Sequence, residues 1–298
     1  MTPAPDDFEA MAKALEASGR YRVLRKLDAP RFEMRPAVGQ VRQGVILDLE
    51  TTGLDPKVDE IIEIGMVPFT YDVGGQIVSV GEPFSRLRQP SKPIPAEITK
   101  VTGITDAMVE GEVIDPAEVE AFIAEAALII AHNASFDRRF AERFCPGFAS
   151  KPWACSFSQI DWRAAGHESG KLAFLAASYG FFHDGHRAHH DCLATLEILA
   201  APLAGSSGSG LQALLIAARK PTVRVFAENS PFELKDVLKA RGYRWNGEAG
   251  PSPRAWWIDV EEADLAAELD YLQTQIYRGE VHLPTRKISA FERFSERV

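Results

Sequence analysis

The chain has 298 residues, 46% hydrophobic and 25% charged, with three cysteines and a formal net charge of −9. This composition excludes fibrous and low-complexity chains; no apolar run is long enough to span a bilayer, and Cys145, Cys155 and Cys192 lack the spacing of a disulfide framework. The negative charge argues against a protein that coats nucleic acid, and the acidic N-terminus, with no basic-then-apolar leader, predicts a cytoplasmic setting without a membrane partner.

Residues 1–43 read as an N-terminal helical appendage. An amphipathic helix is predicted over 6–18, with Phe8, Met11 and Leu15 on one face and Gly19 as its stop, followed by a proline-containing linker. Residues 44–203 then carry strand signals over 44–50, 60–68 and 76–88, with Gly74 and Gly75 as a hairpin turn. Helices are predicted at 95–100, 116–126, from about Ser135 to Phe144, at 171–179 and at 191–202, with a strand at 127–131. A strand meander followed by strand–helix alternation predicts an α/β fold with a mixed sheet flanked by helices. Gly205–Gly210 reads as a linker, so 204–221 is expected as linker plus helix, 222–283 as a second, small α+β domain, and 284–298 as a weakly ordered tail. Residues 44–218 hold twelve Lys and Arg against 23 Asp and Glu, whereas 219–298 hold thirteen of each. The acidity is thus concentrated in the middle of the chain.

Three clusters there could carry chemistry. Asp48 and Glu50 alternate with Leu49 at the end of a buried strand, so both carboxylates share one face and repel unless a cation lies between them. Asp137 follows the strand at 127–131 and falls in the first turn of the next helix, where interaction with the helix dipole is the ordinary reading. Asp191 also falls at a helix start, where capping is the ordinary reading, behind a histidine-rich stretch containing His183, His186, His189 and His190. The histidines lack cysteine partners and the close spacing of a zinc site.

Taken together, Asp48-x-Glu50-Thr51-x-Gly53, His132-Asn133-x-x-Phe136-Asp137 and His186-x-Ala188-x-x-Asp191 resemble the three motifs of the DEDDh 3′–5′ exonuclease superfamily, and among its members the proofreading epsilon subunits of bacterial DNA polymerase III. Residues 59–65 and 93–108 resemble further family segments, with Thr102 where the family usually has histidine. The likeness covers about residues 43–203 and implies a ribonuclease H-like sheet. His186, five positions before Asp191, matches the histidine branch; Arg187 stands where the other branch has tyrosine. The resemblance implies two divalent ions, Mg²⁺ or Mn²⁺, held by Asp48, Glu50, Asp137 and Asp191, with His186 as general base. It also implies that Thr51, Thr52, Gly53, Leu54, Asn133 and Phe136 lie near the terminal nucleotide. The expected substrate is single-stranded nucleic acid, DNA favoured, cut in repair, proofreading or turnover. An exoribonuclease of the same fold and a nucleic-acid-binding accessory protein are the alternatives. A polymerase or repair partner is not shown, and without a convincing clamp-binding peptide a free-standing enzyme is expected.

Residues 231–246, followed by Ala255, Trp256 and Trp257, resemble a small αβ module attached to DNA-processing and mobile-element proteins. Arg244 and Trp245 could bind a strand by charge and stacking; equally, the tryptophans could form the core of a very small domain. The alternation of Trp256 and Trp257 predicts that at least one of them is core.

Overall fold

A computed structural model describes residues 5–247 and 252–298. The opening residues of the appendage and part of the turn expected inside the C-terminal module lie outside these. Helix α1 (Pro5–Ala17) and strand β1 (Arg25–Lys26) precede β2 (Val41–Thr51), β3 (Ile61–Asp72), β4 (Ile77–Val80) and β5 (Phe84–Leu87). Helices α2 (Ala96–Thr102), α3 (Asp106–Val109) and α4 (Pro116–Ile123) lead to β6 (Leu128–Ala131), α5 (Ala134–Phe144) and β7 (Trp153–Cys155). Then come α6 (Leu172–Ser178), β8 (Phe181–Phe182), α7 (Ala188–Ala200) and α8 (Gly210–Arg219). The C-terminal part comprises β9 (Thr222–Ala227), α9 (Lys235–Ala240), β10 (Arg244–Trp245), β11 (Trp256–Glu261), α10 (Leu265–Tyr271) and β12 (Thr285–Ile288).

The central sheet runs β4-β3-β2-β6-β7, with β5 also on β3. Pairing among β2 to β5 is antiparallel; β2 with β6 and β6 with β7 is parallel, giving the expected mixed sheet. Alternation along β2 sends Val45, Leu47 and Leu49 into a core with α4 and α5, and Ile46 into a second core with α6, α7 and α8. Both faces are therefore covered, which explains the near-continuous apolar run before Asp48.

Three segments differ from the sequence-based expectation. The appendage is tied to the main body: β1 pairs in parallel with β8, Leu27 is buried against that core, and Arg31 bonds Glu197 on α7. Gly205–Gly210 is a closed turn rather than a free linker. There Leu203 N–H donates to Gly208 O, Gly210 N–H donates to Ala201 O, and the Ser209 hydroxyl caps α8 by accepting from Gln212 N–H. Leu211, Leu214 and Leu215 then bury α8 in the core with α7. The expected tail contains β12, which pairs with β9, and a docked end beyond it. The buried Arg138 guanidinium donates to the carbonyls of Ala290, Phe291 and Arg293, and Trp153 N–H donates to Ala290 O.

The C-terminal sheet, ordered β10-β11-β9-β12, is antiparallel throughout. Its Val225, Ala227, Trp256 and Ile258 pack with Leu238 on α9 and Leu272 just after α10, so one face of this sheet is covered by helices. Among the described residues no helix is long and apolar enough to cross a membrane.

Candidate active site

Strand β2 delivers Asp48 and Glu50 to the α7 side of the sheet, and Asp191 arrives from the first turn of α7. One carboxylate oxygen from each of the three can be chosen so that all lie within 4.8 Å of one another. The landing of α7 depends on Gly65 of β3. A Cβ there would stand 2.4 Å from Ala188 C and His189 N, so only glycine lets the helix start come this close. The opposed pair Glu50 and Glu63 adds another acid to the same face. Glu63 is fully buried and receives Arg187 Nε and Nη2 together with Ala188 N–H, which clamps the start of α7 to the sheet.

Asp137 reaches the site from the opposite layer. The β2–β6 ladder ends at Ile46 and Ile130, and beyond it Leu49 N–H donates to Asp137 Oδ1 at 3.1 Å. Asp137 is thus placed behind the strand end and lies outside the group of three carboxylates that meet within 4.8 Å. It stands in the first turn of α5, as expected, and the helix cap is Asn133.

Burial dominates the electrostatics. It pushes the Glu50 carboxyl up to about 8, with Asp191 and Glu63 adding repulsion. It also pushes Asp137 up to about 8, against the lowering effect of its backbone hydrogen bonds. Asp48 is raised well above the usual carboxylate range by burial and then by Asp137, Asp191, Glu50 and Glu63. Such a group holds its negative charge only beside positive charge. The donors are hard carboxylate oxygens. The nearby Cys192 is buried, donates its thiol to Gly65 O and is pushed well above the ordinary thiol range, so it offers no thiolate. This donor set fits Mg²⁺ or Mn²⁺.

His186 is exposed, adopts a left-handed backbone (φ 61°), and makes no hydrogen bond among the described residues. The loop instead places His183 inward: its Nε2 lies 2.9 Å from Asp191 Oδ1, with 4% of its side chain exposed. The sequence motif singles out His186 and assigns His183 no role. His183 stands eight positions before Asp191, a separation that no helical or strand period brings together. Glu63 and its partner Arg187 were also missed as a pair. Placing Glu63 opposite Glu50 in an antiparallel register would have found the acid, since paired residues share a face.

The remaining candidates sit at the end of β2 and around the start of α5. Thr51 is buried and donates its hydroxyl to Gly53 O. The Thr52 hydroxyl accepts from Glu60 N–H, while Leu54 is 80% exposed beside them. Phe136 packs against Phe140, with ring centres 5.0 Å apart. Asn133 accepts from the Ser135 hydroxyl. His132 is fixed at both ring nitrogens: Nε2 lies 2.8 Å from Gly170 O and Nδ1 lies 2.9 Å from Ser156 Oγ. Burial lowers it to about 4, so it is neutral, with Nε2–H donating to the carbonyl and Ser156 donating to Nδ1.

Residues 45–199 match the sequence profile of the RNase T family, described as Exonuclease. A DNA polymerase III PolC-type protein of Thermotoga maritima is 46% identical over 120 residues, 40% of this chain but 8% of that protein. The DNA polymerase III epsilon subunit of Treponema pallidum is 31% identical over 169 residues, covering 53% of this chain and 74% of the subunit. In fold, the zinc-bound E. coli ExoI–ssDNA complex superposes with a TM-score of 0.51 at 17% identity, covering 74% of this chain and 63% of that one. The profile spans just over half the chain and includes all three acidic clusters; the chain belongs to the RNase T exonuclease family of the DEDD superfamily.

Proposed function

We propose that the chain is a metal-dependent 3′–5′ exonuclease that releases nucleoside monophosphates from single-stranded DNA ends. The observation that carries this reading is the convergence of Asp48, Glu50 and Asp191 on one point at the end of β2. Besides Glu63, four acids crowd this strand end, and Arg187, the cation that acts on Glu50, is committed to Glu63.

In this reading Asp48, Glu50, Asp191 and, from behind the strand, Asp137 would hold two Mg²⁺ or Mn²⁺ ions, which would supply a more acidic water and charge stabilisation at the phosphate. The terminal nucleotide lies on the Thr51–Leu54 stretch, with Leu54 and Phe136 against its base and backbone groups near Thr52 and Gly53 at its sugar. The attacking water loses its proton to an imidazole nitrogen of His186 and adds to the scissile phosphorus. The bond from that phosphorus to the 3′ oxygen of the preceding nucleotide breaks, and that oxygen takes a proton from solvent, which frees a 5′-monophosphate and a new 3′ hydroxyl. The exposed position of His186 fits a base that closes over the site when a strand is bound.

The DNA polymerase III relatives and the single-stranded DNA bound by E. coli ExoI support DNA as substrate. Leu211, Leu214 and Leu215 are buried, so this stretch offers no exposed clamp-binding peptide. The test uses matched DNA and RNA single strands carrying a label at either end. With Mg²⁺, 3′-labelled DNA should release labelled mononucleotide at once while 5′-labelled DNA shortens stepwise, and RNA should react more slowly. His186→Ala should lower turnover about 10²- to 10⁴-fold with cation affinity unchanged. Release from the 5′ end, or faster loss of RNA, would refute the corresponding part of the reading.

A further inference from the structure

A groove of about 1040 Å³ separates the face of the C-terminal sheet that its helices leave open from the body of the exonuclease fold. Alternation along β11 explains its chemistry. Trp256, Ile258 and Val260 turn toward the module's own core, so Trp257 and Asp259 turn the other way. The register sets Arg244 and Phe226 opposite Trp257, and Arg224 opposite Asp259. The Arg224 guanidinium lies 3.8 Å and that of Arg244 5.5 Å from the Trp257 ring centre.

The two arginines are not equivalent. Arg224 is held by both oxygens of Asp259 at 2.7 and 2.9 Å, so its charge is spent. Arg244 is exposed and makes no ion pair among the described residues. Next to it Trp245, in register with Trp256 and so on the other side of β10 from Arg244, is 55% exposed at the sheet edge, where it borders the groove and tilts against Trp256 with ring centres 5.7 Å apart. Trp256 alone satisfies the expectation that a tryptophan builds the module's core; Trp245 and Trp257 lie outside the buried cluster. The opposite wall includes Ser135, Ser158 and Arg139, the last ion-paired to Glu296 of the same wall. Ser135 is two residues before Asp137 on α5, so the groove runs up to the element that carries the active-site acid.

A free arginine beside an exposed tryptophan at an open sheet edge matches a ligand that alternates flat aromatic faces with anionic links. We infer that this groove and the edge strand β10 beside it form a binding track for a single strand of nucleic acid, with a phosphate at Arg244 and a base stacked on Trp245 where the strand crosses the sheet edge. The track extends the proposed nuclease site, and it rests on that reading only for the direction in which the strand leaves. Its strength is local, because residues 219–298 are balanced in charge. Strand affinity therefore depends on these side chains rather than on an overall field.

The test measures fluorescence anisotropy of a labelled oligothymidylate of about 20 nucleotides, longer than the several-nucleotide footprint of one such platform, with the full chain in chelator. Trp245→Ala should weaken binding about tenfold, within the range for losing one stacked base, and Trp245→Phe should restore most of it. Arg244→Glu, a change at an exposed and unpaired position, should weaken binding and reduce the salt dependence by about one phosphate contact. With Mg²⁺, both variants should raise KM on the long strand while leaving kcat, and cleavage of a strand of about four nucleotides, unchanged. Undiminished binding by Arg244→Glu overturns the track, as does equal loss on long and short strands. Cleavage without any effect of these residues sinks the groove and leaves the nuclease reading standing. Groove-dependent binding without cleavage does the reverse.

Discussion

Carboxyl groups around the end of β2 are the least comfortable residues in the protein. Glu50 and Asp137 are both pushed up to about 8, from ordinary values of 4.5 and 3.8. The folded metal-free chain therefore keeps protons that the unfolded chain has released, and folding loses stability as pH rises between those values. The contribution is whole below the unfolded values and is lost as pH climbs through about 8. Thermal unfolding in chelator should show Tm falling steadily from pH 5 to pH 9 beyond the trend of a Glu50→Gln, Asp137→Asn double variant. Saturating Mg²⁺ should abolish the difference, because a ligand of the folded state adds stability. Parallel curves for wild type and double variant in chelator would contradict these assignments. At this scale Asp48 and Glu50 were legible in the sequence, since strand alternation alone puts them on one face. The bond from Leu49 N–H to Asp137 was not, because it depends on where the β2–β6 ladder stops.

Elements set the distances between these groups, and the contact of α7 with β3 is the critical one. The Glu63 clamp and the bare backbone of Gly65 together hold the helix start that carries Asp191. Gly65→Ala would force backbone apart rather than displace a flexible side chain, so it should destabilise folding by about 1–3 kcal/mol. The shift of Asp191 should also lower turnover about 10²-fold, the scale expected for a displacement of about 1 Å. Urea unfolding with steady-state kinetics on the same samples checks both; an alanine variant with wild-type stability and rate would show that α7 does not need this closeness. The long apolar strands and capped helices could be read from periodicity. Short elements could not: β1, β8 and β10 are two residues each and exist only because a partner strand lies alongside.

On the scale of the whole molecule, main-chain contacts between distant segments join parts that the sequence presents as separate. Arg138, an unremarkable member of α5 by pattern, gathers three carbonyls from the chain end. Backbone acceptors carry no side-chain signature, which is why residues 284–298 read as a tail. The Gly and Ser composition of 205–210 likewise suggests a free linker, although the same residues close a capped turn onto α8. The acids proposed for the active site escape this difficulty because their chemistry demands particular side chains in a particular order.

The most direct measurement is single-turnover release of 3′-labelled mononucleotide from single-stranded DNA by wild type and Asp48→Ala, each with Mg²⁺ and with chelator. Wild type should release label only with Mg²⁺. Asp48→Ala should lose at least about 10³-fold in rate, as when a member of an interdependent catalytic group is removed, while remaining folded. Metal-independent release by wild type, or an undiminished rate from Asp48→Ala, would contradict a nuclease centre built on the end of β2.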